Sequence, residues 1–178
     1  MVSFLKLHFQ DNARFVELNI ASDGICENNL NKYIDFDKFI GTLHTQKVFT
    51  GNTFSSCDTI LLNEENNHII FVEFKDMKSI LTDELLINWW KKQQPKIYLK
   101  ITDSLLGLSY YLNNEYSINY NNFMNTSKSF FYVYQSETYK SKINNHLKYK
   151  FSRYDYLFKN IRTIECNAFQ NFLNKNKL

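Results

Sequence analysis

Two apolar segments separated by a short polar stretch constrain the fold of this chain more than any other feature. The segments Cys57–Leu62 and His68–Lys75 are rich in Ile, Val, Leu and Phe, residues that favour β-strands. The stretch Asn63–Asn67 between them is entirely polar. Two strands with so short a connection are typical of an antiparallel hairpin.

The length of the connection determines which residues pair. If Glu64–Asn67 form a four-residue loop, Asn63 pairs with His68. Counting outward from that pair gives the further pairs Asp58–Glu73 and Ser56–Lys75. Directly opposed side chains share a face of the sheet, so two acids and a lysine are predicted to meet at one end of the hairpin.

The alternation of side chains along the second strand explains why these charges need a partner. Ile70, Val72 and Phe74 point to one face, which we expect to be core, while Glu73 and Lys75 point to the other. Opposed carboxylates repel each other, and burying them without partners is costly. A cation between them removes both objections, and carboxylate oxygens suit Mg²⁺ or Mn²⁺ better than zinc.

Such a site predicts phosphodiester hydrolysis. A bound metal ion polarises a phosphate and lowers the pKa of an attacking water. Lys75 lies two residues from Glu73 on the same face, where its ammonium can orient the water or neutralise charge that develops on the phosphate. An edge strand with a wet outer face is the alternative explanation of the same charges, with Lys75 as a guard against aggregation.

An acid on one strand and Glu-x-Lys on the next, after one helix and before another, resembles the PD-(D/E)XK nuclease superfamily of restriction enzymes, resolvases and repair nucleases. The resemblance is strongest over residues 47–78 and looser over 26–135, and Cys57 stands where the family name has proline. It implies a restriction-endonuclease-like αβββαβ core and Mg²⁺-dependent hydrolysis of DNA or, less often, RNA. It also implies metal ligation by Asp58, Glu73 and the backbone carbonyl of Phe74.

Many members of this family carry a further acid on the helix before these strands. Glu27 is the first candidate and Asp35 the second. Glu17 and Asp37 stay open, because nothing in the sequence fixes the rotation of that helix. Other members carry a polar or basic residue on the helix after the motif. Lys91, Lys92, Gln93 and Gln94 are available for this role, but their position favours the alternative that they face solvent.

The segments before the motif predict three further elements. Alternation in Val2–Phe9 and Arg14–Ile20, around a polar turn, predicts an N-terminal β-hairpin. Apolar residues at three- and four-residue spacings predict an amphipathic helix over residues 26–43. Lys47–Phe54 is predicted to be the first strand of a three-stranded meander that continues into the motif hairpin.

Downstream of the motif, Thr82 is predicted to cap a helix that runs to about Gln94, where Pro95 stops or kinks it. A second helical stretch then carries an apolar stripe from Ile97 to Leu112. The remaining predicted elements are a strand at Phe130–Gln135, a strand at Asn160–Ile164 and a helix at Ala168–Lys175. Because a strand that follows a helical crossover tends to lie parallel to its partner, we expect a single α/β domain over residues 1–178, with a mixed central β-sheet flanked by helices.

Positive charge is concentrated towards the C-terminal end. Residues 140–178 carry 9 Lys and Arg against 2 Asp and Glu, or +7, whereas residues 1–139 carry 12 against 16, or −4. Basic and aromatic residues are interleaved in the basic aromatic segment, residues 139–178, a mixture that suits contacts with nucleic-acid phosphates and bases. A solvated basic face whose aromatics belong to the core is the alternative. The candidate nucleic-acid-binding residues are Lys140, Lys142, Lys148, Lys150, Arg153 and Tyr154.

The spacing of cysteine and histidine, the absence of several motifs and the lack of long apolar runs exclude other classes of protein. Cys26, Cys57 and Cys166 are odd in number and widely spaced, so we expect free, buried thiols and neither a disulfide framework nor a zinc site. The histidines lack ligand spacing, and the sequence has no Gly-rich phosphate-binding motif and no Gly-x-Ser-x-Gly. It also has no basic leader and no long apolar run, which predicts a cytoplasmic location without membrane contact.

The sequence therefore predicts a metal-dependent endonuclease that acts on nucleic acid, DNA more than RNA, with the catalytic residues Asp58, Glu73, Lys75 and Glu27. A homodimer is compatible with this activity, because cutting both strands of a duplex often uses two copies. The alternative function is a non-catalytic nucleic-acid-binding or assembly module that kept the nuclease fold. A third hypothesis is a small interaction protein that masks a partner through its many aromatic residues.

Overall fold

One open sheet, with its six strands in the order β1-β2-β3-β4-β5-β6, forms the frame of the residues that the computed structural model describes, 1–27, 31–47, 54–176 and 178. Neighbours from β1 to β4 are antiparallel, and β4, β5 and β6 are parallel. The strands are β1 Phe15–Val16, β2 Tyr33–Asp35, β3 Thr59–Asn63, β4 His68–Asp76, β5 Ser127–Gln135 and β6 Asn160–Glu165. The helices are α1 Val2–Asn12, α2 Leu18–Ala21, α3 Phe36–Thr45, α4 Asp83–Tyr116, α5 Tyr120–Met124, α6 Lys140–Phe151 and α7 Cys166–Asn176. The predicted mixed sheet with flanking helices is confirmed.

The hairpin of β3 and β4 has the register that the loop length predicts. Asn63 pairs with His68, and the pairing continues without a bulge to the end of the ladder. Oδ1 of Asn63 also accepts a hydrogen bond from the N–H of Asn66, which closes the turn between the strands. The same count places Asp58 opposite Glu73, one step beyond the ladder.

Helix α4 connects β4 to β5 as a crossover, and β5 accordingly lies parallel to β4. The Thr82 hydroxyl accepts a hydrogen bond from the N–H of Leu85 and caps the helix, as predicted. Pro95 does not stop the helix, which continues for 34 residues. Trp90 and Ile97, on either side of the proline, are buried in the core, and this packing outweighs the lost backbone hydrogen bond. Neither α4 nor any other described helix combines the length and the apolar character that a membrane span needs.

Each face of the sheet is covered by a different set of helices. Helices α1, α3, α4 and α6 pack on the face where Phe71 and Phe130 lie, called here the α4 face. Helices α2 and α7 pack on the face where Val72 and Phe131 lie, called here the α7 face. Strand β4 is therefore buried on both sides, and Glu73, two residues from Phe71, belongs to the α4 face.

The predicted N-terminal β-hairpin is wrong. The first segment forms α1, because Val2, Leu5 and Phe9 recur at helical spacing and are fully buried together. Leu7, which a strand would place beside Leu5 and Phe9, is exposed. The second segment divides into β1 and α2. The N–H of Val2 donates to Oδ1 of Asn67, which fastens α1 to the turn between β3 and β4.

The helix predicted over residues 26–43 is shorter than expected. Strand β2 replaces its middle part, because Tyr33 and Ile34 are buried on opposite faces of the sheet. Helix α3 then begins after Asp35, whose Oδ1 accepts a hydrogen bond from the N–H of Lys38. Leu30, which contributed to the predicted helical spacing, lies outside the described residues.

The order of elements agrees only in part with a restriction-endonuclease-like αβββαβ core. The succession β3, β4, α4, β5 is as expected. The predicted first strand of the meander, Lys47–Phe54, falls mostly on residues 48–53, which lie outside the described residues. The second neighbour of β3 in the described sheet is β2, which precedes α3 in the sequence instead of following it.

The predicted C-terminal elements are confirmed. Strand β5 contains the predicted strand at 130–135, and β6 contains the predicted strand at 160–164. Both extend a parallel part of the sheet, as the crossover rule indicates. Helix α7 contains the predicted helix at 168–175 and covers its own face of the sheet.

Cys26 and Cys166 form a disulfide, so the expectation of free thiols is wrong for these two residues. The bond joins the segment before β2 to the first residue of α7, across a sequence separation of 140. Spacing in the sequence does not indicate this pair, because only the assembled sheet brings the two segments together. Cys57 is free and buried, as expected.

Candidate functional site

Asp58 lies where β3 begins, and its side chain holds the end of β4. Its carbonyl accepts a hydrogen bond from the N–H of Phe36 at the start of α3. Its Oδ2 accepts a hydrogen bond of 2.7 Å from the N–H of Phe74, two residues beyond the last β4 residue that pairs with β3. The Asp58 carboxylate is thereby held beside the last residues of β4.

Glu73 is fully buried on the α4 face of β4. Its two carboxylate oxygens contact different lysines. Nζ of Lys75 lies 2.9 Å from Oε1, and Nζ of Lys100 lies 2.9 Å from Oε2. A buried carboxylate without such partners would be strongly unfavourable, so the two lysines allow Glu73 to occupy this position.

Lys100 of α4 joins the two acids. Its Nζ donates to Oδ1 of Asp58 and to Oε2 of Glu73, at 2.9 Å in both cases. The structure therefore brings together the predicted residues Asp58, Glu73 and Lys75 and adds a fourth. These four side chains are called the ion cluster below. Two carboxylates and two ammonium groups are balanced in formal charge.

Lys100 was not among the residues of α4 considered from the sequence. It lies between Ile97 and Ser104, at three- and four-residue spacings on the buried stripe of the helix. A charge inside an apolar stripe of a helix is the same indication that singled out Glu73 inside an apolar strand, and it could have identified Lys100. The earlier residues considered are Lys91 and Lys92, which are exposed as expected, and Gln93 and Gln94, which are half-buried.

The ion cluster changes the protonation of its members. Burial raises the pKa of Glu73 to about 7, the charge of Asp58 adds to this, and the attraction of Lys100 and Lys75 does not cancel it. Burial lowers the pKa of Lys100, but Glu73 and Asp58 together outweigh burial and hold that pKa well above its ordinary value. At neutral pH, Lys100 is therefore charged while Glu73 is close to its midpoint. A carboxyl group in this state exchanges protons readily near pH 7.

Two buried oxygens of this region lack a hydrogen-bond partner among the described residues, namely Oε1 of Glu73 and the phenol oxygen of Tyr132. Tyr132 pairs with Glu73 across β4 and β5. Burial raises the pKa of Tyr132, and Glu73 and Asp58 raise it further, so the phenol stays protonated and can donate. Lys75 contacts Oε1 as an ion pair without hydrogen-bond geometry. Buried polar atoms in this condition are suited to a water or an ion.

The segment that leads to Asp58 is fastened to two helices. One hydrogen bond goes to α3 and two go to α4. The pairs are Ser56 Oγ to Asp37 Oδ1 at 2.7 Å, Ser55 N–H to Asp103 Oδ2 at 3.0 Å and Cys57 N–H to Ser104 Oγ at 2.8 Å. Asp58 is therefore positioned by packed elements on both sides, as a site that needs fixed geometry requires.

Glu27, the first candidate for a further acid, has its described contacts outside the ion cluster. It is exposed in the segment before β2, and its carbonyl accepts a hydrogen bond from Gln170 of α7. It lines a cavity of about 320 Å³ with Lys140 and Glu165. The helix that was expected to carry Glu27 towards the metal does not include this residue.

Among the other three acids, Asp37 is the one connected to the ion cluster. It lies in the first turn of α3 and accepts the hydrogen bond from Ser56, two residues before Asp58. Asp35 caps α3, and Glu17 forms an ion pair with an exposed lysine. The structure thus associates Asp37 with the site in place of Glu27.

The ion cluster is open to solvent on one side. The exposed fraction of the side chain is 24% for Asp58, 21% for Lys100 and 31% for Lys75, whereas Glu73 is wholly shielded. Lys75 also lines a cavity of about 280 Å³ together with Lys78, Asp23 and Asp76. Solvent therefore reaches the three partly exposed groups, while Glu73 stays out of contact with water.

Three of the candidate nucleic-acid-binding residues are already engaged within the protein. Lys140 lies 2.6 Å from Glu165, and Lys142 lies 3.8 Å from Asp83. Tyr154 is buried against the core, so its ring is not free to stack on a base. These three residues therefore agree with the alternative explanation of the segment, in which its charges lie on a solvated face and its aromatic rings belong to the core.

Some basic and aromatic residues of the segment lie at the surface. Lys148 and Arg153 are exposed and Lys150 is half-buried, and none of the three forms a salt bridge with a described residue. The Arg153 guanidinium lies 4.8 Å from the ring centroid of Tyr98, while Tyr149 is 77% exposed and Tyr156 is 79% exposed. Exposed rings beside basic side chains are the combination that single-stranded nucleic acid can contact.

Within the described ranges, no three His, Cys, Asp or Glu side chains are grouped so as to hold a metal ion. A site built from Asp58 and Glu73 would therefore rely on two carboxylates, with the backbone and water supplying the other ligands. Neither family models, nor curated proteins, nor solved structures provide a match to this chain. The resemblance to the PD-(D/E)XK superfamily depends on the residues of the ion cluster and on the order of the elements that carry them.

Proposed function

We propose that this protein hydrolyses phosphodiester bonds in nucleic acid, with Mg²⁺ or Mn²⁺ held by Asp58 and Glu73. The observation that carries the proposal is the single cation position between the two acids, where Nζ of Lys100 lies 2.9 Å from an oxygen of each. Two carboxylates that face one cation position next to a buried strand are costly for folding, and such groups cluster at functional sites.

The donor set suits Mg²⁺. This ion takes one or two carboxylates and keeps several waters, and Asp58 and Glu73 supply two carboxylates. The N–H of Phe74 points to the side of β3, and the carbonyl of a strand residue points the same way as its N–H, so the Phe74 carbonyl is a third donor. Mg²⁺–oxygen distances are about 2.0–2.1 Å, so Lys100 would have to withdraw from the cation position.

The side chains of the ion cluster have separate roles in this proposal. When bound, the ion would polarise the scissile phosphate and lower the pKa of the attacking water. Lys75, which is partly exposed beside Glu73, would hold that water or neutralise charge on the phosphate. Lys100, once released from the acids, would remain charged and would contact a phosphate oxygen.

The surrounding fold supports the same proposal. The succession β3, β4, α4, β5 agrees with part of the αβββαβ order that the resemblance implies, and Asp37 of α3 would be the further acid in place of Glu27. The surface residues Lys148, Tyr149, Lys150 and Arg153 would hold the nucleic-acid strand. The family resemblance favours DNA over RNA.

Cleavage assays with the purified full chain test this proposal. Supercoiled plasmid and single- and double-stranded oligonucleotides are incubated with Mg²⁺, with Mn²⁺ or with EDTA. Cleavage is expected with either ion and not in EDTA. Asp58→Ala, Glu73→Ala and Lys75→Ala should each lower the rate by about 100-fold or more, because each removes a group that acts on the transition state.

Lys96→Ala is the matched control, because Lys96 is an exposed lysine one turn before Lys100 on the same helix. It should leave cleavage unchanged. Full activity in the Asp58→Ala and Glu73→Ala variants would show that these residues do not form the active site. Cleavage that persists in EDTA would show that the reaction does not need a metal ion.

A non-catalytic nucleic-acid-binding or assembly module is the second candidate, and the position of Lys100 favours it. With Lys100 between the acids, each acid has a cationic partner without any metal. This function predicts salt-sensitive nucleic-acid binding without cleavage. Fluorescence anisotropy beside the cleavage assay separates the two functions, because the module should bind nucleic acid without cutting it in any of the metal conditions, whereas the nuclease should do both. Binding by the module should weaken in a Lys148→Gln, Lys150→Gln double variant and not in Asp58→Ala.

A further inference from the structure

A second polar recess lies on the α7 face, opposite to the face of the ion cluster and at the other end of β4. His68 begins β4 and Glu73 lies five residues later, about 17 Å along an extended strand. The recess has a volume of about 300 Å³. Its floor consists of same-face residues of four adjacent strands, Asn63, His68, Ser129 and Asn160, and α7 closes it with Phe172 and Asn176.

The charged groups of this recess are basic and have no acidic partner. Lys159 and Arg162 are on its wall, and its lining includes no Asp or Glu. Neither side chain forms a salt bridge with a described residue. Leu178 lies on the same wall, and its carbonyl oxygen accepts a hydrogen bond from Asn31.

Arg162 is held in place without using its donors. Its guanidinium lies 5.5 Å from the ring centroid of Phe131 and 5.7 Å from that of Phe172. Contacts of this kind orient the flat group through its face and leave the N–H groups at its edge free. A planar set of free N–H donors beside a cavity is suited to a phosphate, which it can bind through two parallel hydrogen bonds.

A histidine and two serines add neutral donors. His68 lies 2.7 Å from Oγ of Ser127 through Nδ1 and 2.8 Å from Oγ of Ser129 through Nε2. A neutral imidazole donates through one nitrogen and accepts through the other, so one of the two hydroxyls keeps its hydrogen for a ligand. Ser129 is 2% exposed and lines the recess. A buried hydroxyl group of this kind is expected to use its hydrogen-bonding capacity, here with a ligand.

The electrostatics of the recess agree with an anionic ligand. Burial lowers the pKa of His68, and the positive charges of Lys159 and then Lys128 lower it further. His68 is therefore neutral at pH 7, and it lies in a positive potential that no Asp or Glu side chain of the described lining offsets. An anion in this position would be attracted by Lys159 and Arg162.

We infer that this recess binds a small molecule that carries a phosphate group. Arg162 and Lys159 would contact the phosphate oxygens, and Ser129 would donate to one of them. The concave shape and the limited volume favour a small ligand over a continuous strand, whose phosphates need an extended basic track. The inference does not rest on the proposed nuclease function, because the two sites lie on opposite faces of the sheet.

Titration of the full chain with inorganic phosphate and with adenosine monophosphate tests the inference. Amide shifts in nitrogen–proton correlation spectra report the location, and calorimetry reports the affinity. Saturable binding with Kd of about 1 mM or tighter is expected, with the largest shifts at Ser129, Asn160 and Arg162. Arg162→Gln should weaken it about 10-fold, because a bidentate contact is lost, and Lys159→Gln should weaken it by a smaller factor.

Arg14→Gln is the matched control, because Arg14 is an exposed arginine outside the recess, and it should bind as the native chain does. Asp58→Ala should also bind phosphate normally, which keeps this test separate from the nuclease assay. Absence of saturable binding, or an equal loss in Arg14→Gln, would overturn the inference. The inference would also be overturned if a single-stranded oligonucleotide displaced phosphate and bound the Arg162→Gln variant more weakly than the native chain. The recess would then hold a nucleic-acid strand and not a small molecule.

Discussion

Glu73 and Lys128 are both buried charged residues on adjacent strands of one sheet, yet the protein satisfies them in different ways. Nζ of Lys128 donates to three backbone carbonyls, those of Phe123, Met124 and Thr126, at 2.7–2.9 Å. All three donors of the ammonium group are used. Lys128 thereby closes the end of α5, and no capacity is left for a ligand.

Glu73 is satisfied by side chains that reach it from another element and from two residues along its own strand. Lys100 and Lys75 are partly exposed, and Oε1 keeps no hydrogen bond. Lys128 is thus satisfied by fixed backbone groups, as suits a buried charge that serves the fold. Glu73 depends on partly exposed side chains and has an oxygen without a hydrogen bond among the described residues, which is the condition that the proposed function requires of a ligand-binding charge.

The contrast between Glu73 and Lys128 predicts the largest loss of stability for Lys100→Met. Removal of the ammonium leaves two carboxylates facing each other, and breaking a buried pair costs about 3–5 kcal/mol in the free energy of unfolding. Mg²⁺ should restore part of the loss if the acids hold the ion, because a ligand of the native state stabilises it. Urea unfolding at pH 8, with and without Mg²⁺, measures both effects.

Lys96→Met is the control for that substitution, because the same change is made at an exposed position of α4. It should change stability little and should not respond to Mg²⁺. An unchanged unfolding midpoint for Lys100→Met would show that Glu73 and Asp58 do not depend on this lysine, and the contrast with Lys128 would then lose its basis.

The next largest effect is the change in the free energy of unfolding as Glu73 titrates. Burial raises the pKa of Glu73 from 4.5 to about 7, so the contribution of this group is fully present below pH 4.5 and is lost as the pH rises through 7. The free energy of unfolding of the native chain, relative to Glu73→Gln, should therefore fall by up to about 3 kcal/mol over that range. Parallel stability curves for the two proteins would contradict a raised pKa.

The smallest effect is expected for Lys128→Met. Methionine fills a similar volume, and the Phe123 carbonyl keeps the hydrogen bond from the N–H of Thr126. The carbonyls of Met124 and Thr126 lose the lysine donor, which costs about 2 kcal/mol in total in the free energy of unfolding. Mg²⁺ should not restore the loss, and nucleic-acid cleavage should persist in the folded variant. A Lys128→Met protein that keeps full stability but loses cleavage would place Lys128 among the functional charges. Lys92→Met, at an exposed position, is the control.

The sequence indicated the hairpin and its charges because the relevant contacts are local. The polar loop sets the pairing of Asn63 with His68, and alternation places Glu73 and Lys75 together. Strands β5 and β6 followed from apolar composition in the same way. The N-terminal helix was misassigned because the apolar residues of Val2–Phe9 fit both periods, and only burial distinguishes Leu5 from Leu7.

The sequence by itself determined that two carboxylates and a lysine converge at the end of a hairpin, since strand pairing across a short loop depends on near neighbours and on a period of two. Only the tertiary structure decided that Lys100 lies between the acids, that Cys26 bonds to Cys166, and that Arg162 faces a recess without acids. These contacts join segments up to 140 residues apart. They depend on how helices pack on each face of the sheet, and a local pattern in the sequence carries no information about that packing.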